Sequence, residues 1–81
     1  MTDTEFDILD ELYFVISFDD LQKQLDMDKS ELVNNLSQIF KKGWLRIFNT
    51  PDGTADIPFV DHTISSAYLL ASKAGLKAHN S

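Results

Sequence analysis

The chain has 81 residues, no cysteine, an apolar content of 43% and a formal net charge of -6. So short a chain buries only about 60% of the surface its unfolded form exposes, which leaves room for one domain spanning 1–81, while its apolar content is too high for a disordered chain of this charge. The missing cysteines exclude disulfides, thiolate nucleophiles and cysteine-based zinc sites, and the acidic balance opposes nucleic-acid binding unless positive charge is gathered locally.

The N-terminus, Met1-Thr2-Asp3-Thr4-Glu5, is acidic where a secretory leader is basic. No apolar run approaches the roughly 20 residues that span a bilayer, so the sequence reads as soluble and cytoplasmic, with no membrane partner. From Thr4 to about Val15 the residues Phe6, Leu9, Leu12, Tyr13 and Ile16 recur at helical steps, which predicts a first helix capped by Asp3 or Thr4. Ser17 is placed to cap a second, short helix ending near Leu25, with Asp19 and Asp20 in its favourable first turn. Asp26-Met27-Asp28 forms the turn. A third helix starts at Asp28-Lys29-Ser30-Glu31, a capping-box-like run, and buries Leu32, Val33, Leu36, Ile39 and Phe40. Lys41-Lys42-Gly43 closes it with cations in the last turn and glycine after it.

Trp44–Phe48 has strand composition, and Pro51-Asp52-Gly53-Thr54 is a turn signal, so a hairpin-like wing is expected. The returning limb, Ala55–Phe59, contains Pro58 and must be an edge or irregular, leaving open whether 55–67 is wing or loop. Tyr68–Ala71 is the cleaner strand. Ser72 then caps a short helix to about His79, a reading preferred over one helix from Thr63 to Ala78.

Charge is unevenly placed along these elements. Residues 1–28 carry nine carboxylates against Lys23 alone, whereas 29–48 carry Lys29, Lys41, Lys42 and Arg46 against Glu31. The stretch from Leu21 through Asp26 to Leu36 resembles the helix-turn-helix of winged-helix transcriptional regulators, with Asp26 standing where the turn glycine is usual. Leu36–Leu45 resembles the exit into the wing of MarR-like domains, and Tyr68–Leu76 is similar to their closing strand and last helix, with Ser72 in place of threonine. The resemblance covers nearly the whole chain in order. It implies an α+β winged helix-turn-helix: a three-helix core, a β-hairpin wing and a short C-terminal helix. The wing departs from many DNA binders of this type by lacking an arginine-rich tip.

With its apolar stripe turned inward, the third helix presents Lys29, Ser30, Asn34, Asn35, Gln38, Lys41 and Lys42 outward or at its margins. Asn and Gln can pair with adenine edges, Ser30 can bond a phosphate, and Lys41, Lys42 and Arg46 can neutralise the backbone. An ordinary solvated polar face has the same composition. The resemblance favours a binding domain for double-stranded DNA, as in a transcriptional regulator, with the third helix in the major groove and the acidic first helix facing away; the alternative is a basic protein partner met by the acidic N-terminal surface, with no DNA binding. Phe6, Tyr13 and Phe14 offer a face for a homodimer, with monomer and dimer both open. Trp44 and Phe48 read as core, and His62 and His79 as surface histidines too far apart for a metal. No nucleophile triad, paired catalytic carboxylates or phosphate-binding glycine loop can be assembled, so neither an enzyme nor a cofactor is expected.

Overall fold

The computed structural model describes residues 1–81. The first helix, α1 (Asp3–Asp10), starts with a reciprocal box: Thr2 Oγ1 accepts from the Glu5 N–H at 3.1 Å, and the Thr2 N–H donates to Glu5 Oε1 at 3.0 Å. The cap is therefore Thr2, ahead of the expected Asp3 or Thr4, and the helix ends at Asp10 rather than near Val15. The apolar beat continues past that point, but the backbone does not. Glu11 and Leu12 close three-residue turns onto Ile8 and Leu9, and the Leu12 carbonyl accepts from Ala71 N–H at 2.9 Å, which ties it to a strand from the far end of the chain.

Ile16–Ser17 then forms β1, a two-residue strand that sequence periodicity did not separate from the helix. The second helix, α2 (Phe18–Leu25), is capped as expected by Ser17, whose Oγ accepts from Asp20 N–H at 3.1 Å. Asp26 takes the left-handed conformation at φ 50°, a region Asp visits more easily than most residues. Gln22 Nε2 donates to the Met27 carbonyl at 3.2 Å and holds the turn. The third helix, α3 (Lys29–Lys41), is capped by Asp28, whose carboxylate accepts from Ser30 N–H at 3.2 Å, without a reciprocal bond from Glu31. Gly43, at φ 79°, turns the chain out of α3.

Strand β2 (Leu45–Phe48) forms no hairpin ladder with the limb that returns from the wing turn. Its main partner is β3 (Tyr68–Ala71), antiparallel with Arg46 opposite Leu70 and Phe48 opposite Tyr68. β3 also pairs antiparallel with β1, so the three-stranded sheet runs β1-β3-β2. The returning limb of the wing makes one isolated bridge, Asp56 to Phe48, and one bond from Ile57 N–H to the Ile47 carbonyl at 2.8 Å. Pro58 follows at once and cannot extend a ladder, so 55–67 is an ordered loop with a 3-10 turn at Ile64–Ser66 rather than a second hairpin strand. Helix α4 (Lys73–His79) is capped by Ser72, whose Oγ accepts from Gly75 N–H at 3.0 Å and donates to the Gly43 carbonyl at 2.6 Å.

One continuous core joins these elements. Ile8, Leu9 and Leu12, Phe18 and Leu21 of α2, Leu32, Leu36 and Ile39 of α3, and Leu45, Ile47, Leu69 and Ala71 of the sheet are all buried. Trp44 packs half-buried against this core, and Phe48 is buried apart from it, near Gly53 and Val15.

Candidate interaction surfaces

Burying Leu32, Leu36 and Ile39 sets the rotation of α3, and the opposite face carries Lys29, Ser30, Glu31, Asn34, Gln38 and Lys41 in the open. Ser30, Asn34, Gln38 and Lys41 follow one another up the same side at three- and four-residue steps. Asn35 differs: it is half-buried, and its Nδ2 donates to the Glu31 carbonyl one turn back at 2.8 Å. Val33 and Phe40, expected in the stripe, lie half-buried along its edge.

The two cations nearest the wing are already engaged. Lys42 Nζ donates to Glu5 at 2.7 and 2.9 Å and lies 4.9 Å from the centre of the Trp44 ring. The Glu5 side chain is 3% exposed, that of Lys42 41%. Burial alone would raise the Glu5 pKa; the hydrogen bond from Lys42 and the one from Thr2 N–H outweigh it and hold the carboxyl below its ordinary value. Arg46 makes a two-pronged contact with Asp56, at 2.9 and 3.4 Å, with its guanidinium 5.0 Å from the centre of the Phe48 ring. α3 thus leaves Lys29 and Lys41 as cations free of ion pairs, interleaved with Asp28 and Glu31.

The wing adds no positive charge. Between Arg46 and Lys73 there is neither Lys nor Arg, whereas Asp52, Asp56 and Asp61 all lie in that stretch. Asp52 accepts from the Thr50 and Thr54 hydroxyls across the turn at Gly53, and the Thr50 bond is the main cause of its lowered pKa. Beyond Pro58 the loop folds back along α3: the Phe59 ring lies 6.0 Å from that of Phe40, and Asp61 faces a cleft whose other wall is α3. Periodicity gave no sign of this contact.

A second surface lies where α1 meets α4. His79, read from sequence as a surface histidine, is mostly enclosed, with a side chain only 9% exposed. Its ring stacks on Phe6 at 4.2 Å and meets Tyr13 edge-on at 5.3 Å, while Tyr13 Oη and His79 Nδ1 are hydrogen-bonded at 2.7 Å. His79 Nε2 lies 3.3 Å from Asp10 Oδ1, but the pair is not aligned as a hydrogen bond. The available signal was α4's own phase, because Ser72, Gly75, Leu76 and His79 fall on one face. His62 is exposed, as expected. Beside the cluster, Phe14 is 84% exposed, and Phe6, Tyr13 and Met1 are also exposed. No three His, Asp or Glu side chains come together as metal ligands, and no helix is long and apolar enough to cross a membrane.

Three helices on a small antiparallel sheet, a long loop after β2 and a capped final helix make this a winged helix-turn-helix, α+β fold. Among solved structures the chain is similar to "Multiple Antibiotic Resistance Repressor, MarR", with a TM-score of 0.78 and 18% sequence identity over 99% of this chain. The chain spans about half of that structure, 52% of its length. At this identity the likeness is one of fold. No family model matches the sequence, and no curated protein does.

Proposed function

We propose that this domain is a winged-helix protein-interaction module with an acidic surface, whose partner is a basic protein. The observation that carries this reading is the charge of the face a duplex would have to meet. The wing holds three aspartates and neither Lys nor Arg, and Lys42 and Arg46 are both held by carboxylates. Phosphate neutralisation supplies most of the affinity of such domains for DNA, and two free lysines supply little of it. The acidic α1, carrying Asp3, Asp7 and Asp10 beside the exposed Phe6 and Phe14, matches instead a cationic segment with apolar side chains.

A second reading, DNA binding by a transcriptional regulator, is favoured by one specific feature: the open row Ser30, Asn34, Gln38 and Lys41 has the residue types and spacing to read base edges. It requires Lys42 and Arg46 to exchange their carboxylates for phosphates. The salt dependence separates the two. With Lys29 and Lys41 alone, log K falls with log salt at a slope of about -1.8; with Lys42 and Arg46 recruited, about -3.6. An NMR titration of the labelled chain with mixed-sequence duplex DNA at two salt concentrations, beside one with a lysine-rich amphipathic peptide, is the test. Peptide-induced shifts on α1 with no DNA-induced shifts on α3 at low salt support the interaction module; saturable shifts along α3 with the steeper slope overturn it. Sedimentation of the free chain at two concentrations checks whether a second copy occupies the Phe6, Tyr13 and Phe14 face as a homodimer.

A further inference from the structure

The cleft between α3 and the second half of the wing has a volume of about 530 Å³ and is lined by Lys29, Ser30, Val33, Asn34, Ser37 and Asp61. Four of these, at 30, 33, 34 and 37, lie on successive turns of one helix face, and the Phe40–Phe59 contact fixes the opposing wall. Glu5, Lys42, Arg46, Asp52, Ser72 and Tyr13 all bond within the chain, whereas the side chains of Lys29, Ser30, Asn34, Ser37 and Asp61 make no hydrogen bond to it. Lys29 and Asp61 carry opposite charges on the same cleft without closing into an ion pair.

We propose that this cleft binds a small zwitterion of tripeptide size, with its carboxylate on Lys29 and the Ser30 hydroxyl, its ammonium on Asp61, and its amide groups between Asn34 and Ser37. Each element of the ligand follows from a wall. A polyanion is opposed by Asp61 and a polycation by Lys29, so a molecule charged oppositely at its two ends is the class that satisfies both. Asn34 supplies a donor and an acceptor together, the complement of a peptide unit. Val33 is the one apolar lining residue, which suits a methyl-sized side chain and gives an aromatic base or ring nothing to stack on. The volume lies within the range of small-molecule sites. Asp28 already accepts from Ser30 N–H, so the selectivity for the carboxylate comes from the Lys29 ammonium rather than from the end of the helix.

Such a ligand covers Ser30 and Asn34, part of the open row on α3. It competes with a macromolecule only where that macromolecule uses the α3 face, as in the DNA reading; with the partner on α1, the cleft is a binding site of its own. This assignment stands apart from the choice of macromolecular partner, because its contacts are those of the cleft alone.

The test is an NMR titration of the isotope-labelled chain with tri-L-alanine, with N-acetyl-trialanine amide, which has lost both charges, as the control. Asp61→Asn and Lys29→Gln alter exposed side chains that make no intramolecular bond, so both variants keep the fold, which their spectra report. Shifts confined to 29–37 and the neighbourhood of Asp61, a dissociation constant raised about 3- to 10-fold by each variant, and no binding of the capped peptide support the assignment. Absence of shifts up to about 20 mM peptide, or equal shifts with the capped control, overturns it.

Discussion

Replacing Lys42 by Met separates a structural tie from a phosphate contact. In the wild-type chain the Glu5 carboxylate, almost wholly out of solvent, receives two bonds from Lys42 and one from Thr2 N–H. The variant keeps the aliphatic bulk of the lysine but removes the ammonium, and the carboxylate is left with the Thr2 bond. Breaking one side of a fully buried ion pair costs about 3–5 kcal/mol. Because Lys42 is 41% exposed, water partly replaces it, and about 2 kcal/mol is expected. In a domain of this length that lowers Tm by about 8–16 °C. The pH dependence follows from the depressed Glu5 pKa. A carboxyl whose folded-state value lies below its unfolded one stabilises the fold fully above the unfolded value, about 4.3, and loses that contribution as pH falls through the lower one. The gap between wild type and variant is therefore complete at pH 7 and closes in strong acid. Urea denaturation followed by circular dichroism measures it, and Glu5→Gln completes a double-mutant cycle. A variant as stable as wild type at pH 7, or a gap that persists unchanged at low pH, refutes the assignment of Lys42 to the fold.

Three further substitutions probe the frame around the surfaces. Gly75→Ala places a Cβ in overlap with the Trp44 carbonyl oxygen, so α4 must move off the entry to β2; the overlap, about 1–3 kcal/mol, exceeds the helix-propensity gain of about 1 kcal/mol, and thermal melting is expected to show a net loss. Asp26→Ala, at φ 50°, is expected to lose about 1 kcal/mol, whereas Asp26→Gly stays within about 0.5 kcal/mol of wild type; equal effects in a denaturant titration contradict the left-handed turn. Phe14→Ser is expected to leave stability within about 0.5 kcal/mol while weakening capture of the lysine-rich peptide; a large loss of stability means that Phe14 packs in the core.

What could be read from sequence, and what could not, divides by the range of the interaction. The caps at Ser17, Asp28 and Ser72 were legible because each side chain acts on a backbone N–H two or three residues ahead. The open face of α3 was legible because three buried aliphatic residues fix its rotation. Periodicity overextends the first helix because Leu12 and Ile16 keep its beat while serving the core from a turn and a strand, a change imposed by pairing with β3. The same limit hid the fate of the cations. Glu5 lies 37 residues from Lys42, and Tyr13 lies 66 from His79; no local pattern joins such pairs. Pro58 marks the returning limb as unable to extend a ladder, but its fold-back onto α3 depends on the Phe59–Phe40 contact, which no local pattern shows.

That fold-back turns the wing's composition into a test of whether its charge opposes DNA binding. Ile57 is pinned to β2 and Phe59 to α3, so the carboxylates of the wing stay beside the α3 face: Asp56 occupies Arg46, and Asp61 faces Lys29 across the cleft. Opposite a phosphate at 4 Å, each one opposes binding by about 1 kcal/mol in water, and the effect reaches only about 10 Å at ordinary salt. Changing Asp52, Asp56 and Asp61 together to Asn removes three negative charges, keeps an acceptor for Thr50 and Thr54, and frees Arg46. If charge is the barrier, the triple variant gains duplex binding with a salt slope near -2.7, from Lys29, Lys41 and Arg46, measured by fluorescence anisotropy over a salt series. If the variant and the wild-type chain behave alike towards duplex DNA at low salt, wing charge does not oppose binding and this reasoning fails.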